Sequence, residues 1–267
     1  MVFGKQVRLD RITKNGRMLC VPMDHGLSNG PMAGIEQPWK TITQVARGGA
    51  TAILVHKGVI RALPKVPQTG IILHLSASTS LGPAPNRKVL ITSVEEGVRL
   101  GADGISVHIN IGSKEEPEML QQLGAVADAC DEYQMPFIAM MYPRGENIKN
   151  ASDTDTVSHV ARIGAEAGAD VVKTVYTGDE ASFGEVVRRC PVPIVLAGGP
   201  KSDSEIEVLK MAESAMKAGA MGVTFGRNIF QNRNPVLMVK ALRKVVVDRR
   251  SAEDALEVLK AVAHSNP

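Results

Sequence analysis

Gly168-Ala169-Asp170-Val171-Val172-Lys173-Thr174 is the stretch from which the architecture can be read. A glycine suits the left-handed residue that stops a helix, and an alanine after it lets the chain pack tightly as it turns back. Two β-branched residues then argue for a buried strand. The same Gly-Ala joint recurs at Gly49-Ala50, Gly101-Ala102 and Gly219-Ala220, each followed at once by an apolar run. Repeated helix-to-strand joints mean that helices and strands alternate, and alternation predicts a parallel sheet.

Working outward, eight apolar runs qualify as strands, at about 18–23, 52–55, 70–75, 104–109, 137–142, 170–173, 193–197 and 222–225. Helical periodicity fills most of the intervals. Met119, Leu120, Leu123, Val126, Ala127 and Cys130 make one apolar stripe, and Val157, Val160, Ala161, Gly164 and Ala165 another. Ser113 with Glu116, and Ser202 with Glu205, have the spacing of a capping box. Eight βα units in 267 residues predict an α/β fold of the TIM (β/α)8 type. An open doubly wound sheet is the alternative, but no G-x-G-x-x-G follows the first strand to support it. The chain reads as one barrel domain, 1–267, with a short N-terminal extension and a C-terminal amphipathic helix at about 252–263.

Composition narrows the function. Aromatic residues make up 3% of the chain, which speaks against stacking on nucleic-acid bases. A net charge of +3 suggests neither a nucleic-acid nor a membrane partner, yet leaves room for a small anionic substrate. Cys20, Cys130 and Cys190 are odd in number, widely spaced and free of CxxC, so reduced thiols are expected. No apolar run reaches the roughly 18 residues of a membrane span, and Met1 to Asp10 lacks a signal-peptide core. A cytoplasmic enzyme is the expectation.

In such a barrel the site lies at the C-terminal ends of the strands. Lys173 ends the sixth strand, where the interior should be apolar. Burial disfavours the charged form of an amine, and a neutral lysine is a nucleophile that forms Schiff bases with ketones. The bland reading is a lysine paired with a carboxylate, or one that grips phosphate. Asp24 ends the first strand and Tyr142 the fifth. With an iminium on Lys173, Asp24 could take the proton of the hydroxyl whose carbon becomes an aldehyde. Tyr142 could shuttle protons at the carbinolamine. Alone, Asp24 reads as a turn cap and Tyr142 as a wall.

Ala197-Gly198-Gly199-Pro200 and Gly226-Arg227-Asn228 follow the last two strands, where such barrels commonly hold phosphate on backbone N–H groups. His56, His74 and His108 follow apolar runs of strands two to four and offer a rival, a zinc-dependent aldolase. No HxH or HExxH spacing supports it, and hydrogen bonding to substrate or neighbours is the better account. Lys57 is either an inward-facing charge or a solvated one.

Val21-Pro22-Met23-Asp24-His25-Gly26-Leu27-Ser28-Asn29-Gly30-Pro31, Met140-Met141-Tyr142-Pro143-Arg144-Gly145, Val171-Val172-Lys173-Thr174, Ala197-Gly198-Gly199-Pro200 and Gly226-Arg227-Asn228-Ile229-Phe230 together resemble the archaeal-type class I aldolases, over about residues 5–257. That family includes fructose-bisphosphate aldolases and 2-amino-3,7-dideoxy-D-threo-hept-6-ulosonate synthases. The resemblance implies a TIM barrel, Schiff-base chemistry on Lys173, Tyr142 as proton donor and Asp24 as proton-transfer assistant. It implies substrate contacts at Asp24, His25, Gly26, Leu27, Ser28, Tyr142, Pro143, Arg144, Gly198, Gly199, Gly226 and Arg227. It implies no metal or other cofactor, and a homo-oligomer, often a decamer. Its substrates are a phosphorylated keto-sugar donor and a small aldehyde acceptor.

The wording at residues 24–31 and 72–76 is more similar to the heptulosonate branch, which moves a ketone fragment from 6-deoxy-5-ketofructose 1-phosphate to L-aspartate semialdehyde. That reaction leads to 3-dehydroquinate and the aromatic amino acids. Fructose 1,6-bisphosphate cleavage is the alternative, and a non-catalytic phospholigand-binding barrel a third reading. Ser76-Ala77-Ser78 departs from the pattern, since more glycine is expected there.

Overall fold

The computed structural model describes residues 3–260. Eight strands form a closed parallel barrel: β1 (Met18–Pro22), β2 (Ala52–Val55), β3 (Gly70–His74), β4 (Gly104–Ile111), β5 (Phe137–Pro143), β6 (Val171–Thr174), β7 (Ile194–Ala197) and β8 (Gly222–Thr224). β1 pairs with β2 on one side and β8 on the other, which closes the ring and removes the open-sheet alternative. Alternation of side chains gives two apolar compartments. Met18, Cys20, Ala52, Leu54, Ile72, Ile138, Met140, Val171 and Val195 fill the barrel interior, while a larger cluster lies between strands and helices.

The four Gly-Ala joints are built alike. Gly49, Gly101, Gly168 and Gly219 have φ of 91°, 70°, 101° and 96°. The alanine N–H then reaches the carbonyl five residues back, at 2.9–3.1 Å in every case. This is the Schellman arrangement, and it turns each helix end straight into β2, β4, β6 or β8.

The lower end is closed by the N-terminal helix Phe3–Ile12, which the mixed polar sequence suggested only as an extension. Ile12 is fully buried and Leu9 packs into the interior cluster. Two carboxylates latch this helix to the strands. Asp170 accepts from Lys5 Nζ at 3.0 Å and from the Phe137 N–H at 2.8 Å. Asp103 accepts from Arg11 at 3.2 Å and from the Ile71 N–H at 3.0 Å.

Two expected caps are displaced. Glu116 begins its helix and sends its carboxylate back to the Gly112 N–H at 2.5 Å, so Ser113 does not cap and its hydroxyl has no partner. The helix Glu205–Lys217 is capped by Ser204, which accepts from the Glu207 N–H, and Ser202 bonds to the Ser204 N–H. Ser204 and Glu207 repeat the Ser-x-x-Glu spacing two residues on, so both registers fit the sequence. The C-terminal helix runs Ala252–Lys260, and the expected continuation to 263 lies outside the described residues. All three cysteines are free and buried. Among the described residues no helix is long and apolar enough to cross a membrane.

Candidate active site

A cavity of 880 Å³ opens at the C-terminal ends of the strands. Lys173 stands within it, on β6, with Met140 and Val195 as register partners on the flanking strands. Its side chain faces inward because the alternation that buries Val171 in the interior turns every second residue the same way. Lys173 is only 4% exposed. Among the described residues it makes no ion pair and no hydrogen bond, and the carboxylate it influences, Asp24, stands beyond ion-pair distance.

Asp24 follows β1 and precedes the short helix His25–Asn29, yet its side chain makes no capping bond. Its Oδ2 lies 4.0 Å from His74 Nε2, and its Oδ1 lies 3.5 Å from His25 Nδ1. Oδ1 is buried without a hydrogen bond. Burial alone would raise this carboxyl. The nitrogens of His74, His25, Lys173 and His56 outweigh burial and hold it below the usual carboxylate range. Asp24 therefore presents an ionised, part-satisfied oxygen to the cavity.

Tyr142 faces the cavity from β5. Its ring lies 4.7 Å from the His108 ring, and the Arg144 guanidinium stands 5.7 Å from its centroid. Of the remaining expected contacts, His25, Ser28, Arg144, Gly198, Gly199, Gly226 and Arg227 line the cavity, and Gly26, Leu27 and Pro143 do not. Helical spacing explains the first two, since residues 25, 28 and 29 share the inward face of their helix. Strand alternation turns Pro143 away from the side on which Tyr142 projects.

The glycine loops are built as expected with one change. Gly198 donates its N–H to the Thr224 carbonyl at 3.2 Å and so is not available to a ligand. The N–H groups of Gly199, Gly226 and Arg227 have no acceptor among the described residues. Arg227 donates to the Gly199 carbonyl at 2.9 Å, and its Nε is buried without a partner. This side of the mouth can hold an anion.

The three histidines do not converge on a metal. His56 Nδ1 meets the His74 carbonyl at 3.2 Å, His74 Nδ1 meets Ser106 Oγ at 2.8 Å, and His108 Nε2 meets Asn110 Oδ1 at 2.8 Å. Among the described residues no three His, Cys, Asp or Glu side chains are grouped to hold an ion. Burial pushes His74 down to about 3 and His108 well below its ordinary value, so both serve as neutral hydrogen-bonding groups. Lys57 leaves the site altogether and donates to the Ile91 carbonyl at 2.8 Å.

Lys88 is the residue that motif reading missed. It lines the cavity from the connection between β3 and β4. Ser76–Ala77 and Val89–Leu90 pair as a small antiparallel ladder and bring it there. The length of that connection was the available signal, because long loops in compact barrels are commonly functional.

A family model described as DeoC/LacD family aldolase matches residues 18–232. The chain belongs to that family. It is 45% identical over 258 residues to 2-amino-3,7-dideoxy-D-threo-hept-6-ulosonate synthase 1 of Archaeoglobus fulgidus, covering 96% of each chain. It is 38% identical to 2-amino-4,5-dihydroxy-6-oxo-7-(phosphonooxy)heptanoate synthase of Streptomyces griseus, covering 91% of this chain and 90% of that one. An archaeal fructose-1,6-bisphosphate aldolase, solved with its catalytic lysine bound to the carbinolamine intermediate, superposes with a TM-score of 0.85 at 30% identity. That match covers 91% of this chain and 99% of the other. The DeoC/LacD member described here is thus an enzyme of the class I, Schiff-base-forming aldolase type.

Proposed function

We propose that this aldolase is a 2-amino-3,7-dideoxy-D-threo-hept-6-ulosonate synthase, transferring a ketone fragment from 6-deoxy-5-ketofructose 1-phosphate to L-aspartate semialdehyde. The observation that carries the chemistry is Lys173, a buried amine that lines the cavity and has no hydrogen-bonding or ion-pair partner among the described residues. The 45% identity over nearly the whole chain supports the choice of substrates.

In this reading Lys173 Nζ adds to the ketone beside the donor's methyl group, and loss of water gives an iminium. Tyr142 moves the protons of the carbinolamine. Asp24 takes the proton of the hydroxyl on the next carbon but one. The carbon–carbon bond breaks, its electron pair neutralises the iminium as an enamine, and a phosphorylated aldehyde departs. L-aspartate semialdehyde then enters, the enamine carbon attacks its aldehyde, and the new alkoxide regains the proton from Asp24. Hydrolysis of the iminium releases the product and restores the amine.

The aldehyde half must pass Asp24 and Tyr142, so it runs toward Arg144. The short end of the donor then falls toward Gly199, Gly226 and Arg227. Aromatic amino acid biosynthesis, a cytoplasmic location and a homo-oligomer, the decamer of the family, belong to the same proposal. Sedimentation of the purified enzyme tests the last of these.

Fructose 1,6-bisphosphate cleavage has one observation in its favour. The free N–H groups of Gly199, Gly226 and Arg227 form an anion site where the proposed donor has a methyl. The name of the Streptomyces enzyme's product, however, puts a phosphonooxy group at that same end of an amino-acid chain, so such a site is compatible with an amino-acid acceptor. The deciding experiment supplies each substrate set to the pure enzyme. Heptulosonate formed faster than fructose 1,6-bisphosphate is cleaved supports the proposal, and rapid cleavage with no product from the semialdehyde overturns it.

A further inference from the structure

Lys88 is 8% exposed, and its ammonium donates to Ser78 Oγ at 2.5 Å. Ser78 donates in turn to the Pro85 carbonyl at 2.8 Å, so the lysine's one protein partner is itself fixed. No carboxylate pairs with Lys88 or with Arg144 among the described residues. Burial, with the Arg144 guanidinium second, pushes the Lys88 amine below its ordinary range, and the Asp24 carboxylate offsets this only in part. Asn110 ties the same connection to β4 by donating to the Asn86 carbonyl at 2.8 Å, and His108 on that strand packs against Tyr142. A buried amine beside a second cation, with no carboxylate at ion-pair distance among the described residues, is costly to keep charged until an anion arrives.

We propose that Lys88, with Arg144 beside it, anchors the anionic end of the aldehyde half of the reaction: first the phosphate of the aldehyde that leaves, then the carboxylate of the aldehyde that enters. The inference rests on the transfer reaction above and adds a specificity-determining residue to it. Cleavage and addition are one step run in two directions. Both aldehydes therefore meet the same face of the same enamine carbon, with Asp24 and Tyr142 serving each. A chain of similar length separates the aldehyde carbon from the anion in the two fragments. One basic subsite can thus receive both, in turn and never together. Arg144 stands 5.7 Å from the Tyr142 ring centroid, and Lys88, also lining the cavity, is near enough to Arg144 for their charges to interact.

The test uses the whole enzyme, 6-deoxy-5-ketofructose 1-phosphate as donor, and two acceptors: L-aspartate semialdehyde and propanal, which has no anionic end. The readout is the ratio of kcat/KM for the two acceptors. Lys88→Met should lower that ratio by about ten- to a hundredfold, the worth of a charge-assisted hydrogen bond, and should raise the donor's KM by a similar factor. Lys88→Arg should keep most of the preference. An unchanged ratio in Lys88→Met overturns the proposal. So does an equal fall with both acceptors, which would make Lys88 a prop for the fold. A donor KM that stays put while the semialdehyde's rises overturns the shared use of the subsite. If the wild-type enzyme makes no product from the semialdehyde, the proposed function fails separately. Lys88 is then read with dihydroxyacetone phosphate as donor and glyceraldehyde 3-phosphate against propanal, where the same fall in ratio is expected.

Discussion

Three aspartates at the two ends of the barrel carry the same group and are treated in opposite ways. At the floor, Asp103 and Asp170 each accept from a backbone N–H of a strand and from a cation of the N-terminal helix. At the mouth, Asp24 has a buried oxygen with no hydrogen bond, and the amine proposed to work with it, Lys173, has no hydrogen-bonding or ion-pair partner among the described residues. A structural carboxylate is satisfied by the fold, because an unmet buried acceptor is destabilising. In the proposed reaction, the partner that Asp24 lacks is the substrate. The floor ties the N-terminal helix to the strand ends, and the mouth spends some stability on reactivity.

The comparison is tested hardest at Lys173. Lys173→Met keeps the bulk of the side chain and removes the nucleophile, so turnover should fall by a factor of about 10⁴ or more. Because a buried amine with no hydrogen-bonding partner is replaced by an apolar group of similar size, thermal stability should hold or rise. A variant that lost both activity and fold would place Lys173 with the floor aspartates. In the wild-type enzyme, borohydride with the keto-phosphate donor should fix the fragment on Lys173, located by peptide mass spectrometry. An adduct on Lys57, Lys88 or Lys201 would move the chemistry elsewhere. EDTA should leave the rate intact.

Next come the proton groups. Tyr142→Phe and Asp24→Asn should each lower kcat by about 10²–10⁴, with a smaller change in donor KM. Near-normal turnover in Tyr142→Phe would reduce that ring to a wall between His108 and Arg144.

The floor should show the reverse pattern. Asp170→Ala leaves the Phe137 N–H without its acceptor and frees Lys5. Stability measured by urea unfolding should drop by about 1–3 kcal/mol while kcat stays within about twofold. A kcat that fell with stability would mean the two ends are coupled and the division does not hold.

How much of this division the sequence discloses depends on whether a local rule forces it. The Gly-Ala joints do: a left-handed residue followed by a small one before β-branched residues has few other meanings, and all eight strands lie within two residues of their expected positions. Lys173, Asp24 and Tyr142 stand out because a charge or hydroxyl at the end of an apolar run breaks the pattern. The floor latch was silent, since Asp103 and Asp170 precede strands as ordinary turn residues and their cations lie far off in the chain. Lys88 was silent for the same reason. It lies in a Gly- and Pro-rich connection, and only the Ser76–Ala77 ladder carries it to the mouth. The helix starts near 113 and 202 were ambiguous because more than one residue met the same short rule.

The smallest expected effect concerns pH, and it turns on the mouth alone. Burial pushes His74 down to about 3 from an ordinary value of 6.5, and Asp24 offsets this only in part. Below pH 6.5 the unfolded chain therefore binds a proton that the folded chain refuses. Its contribution to stability is complete above pH 6.5 and is lost as pH falls toward 3. One such group loses about 1.4 kcal/mol per pH unit within that window. His56, His25 and His108 are shifted in the same direction, each chiefly by burial, and steepen the slope. Asp24, held below its usual range, extends the loss to lower pH. Urea unfolding at pH 7.5 and pH 5.5 should thus show the wild-type enzyme weaker at the lower pH by about 1–2 kcal/mol. His74→Gln should be less stable at pH 7.5, because Ser106 loses its ring partner, but should lose less on acidification. If His74→Gln kept the wild-type slope, the acid sensitivity would belong to some other part of the molecule, and the mouth would be no more strained than the floor.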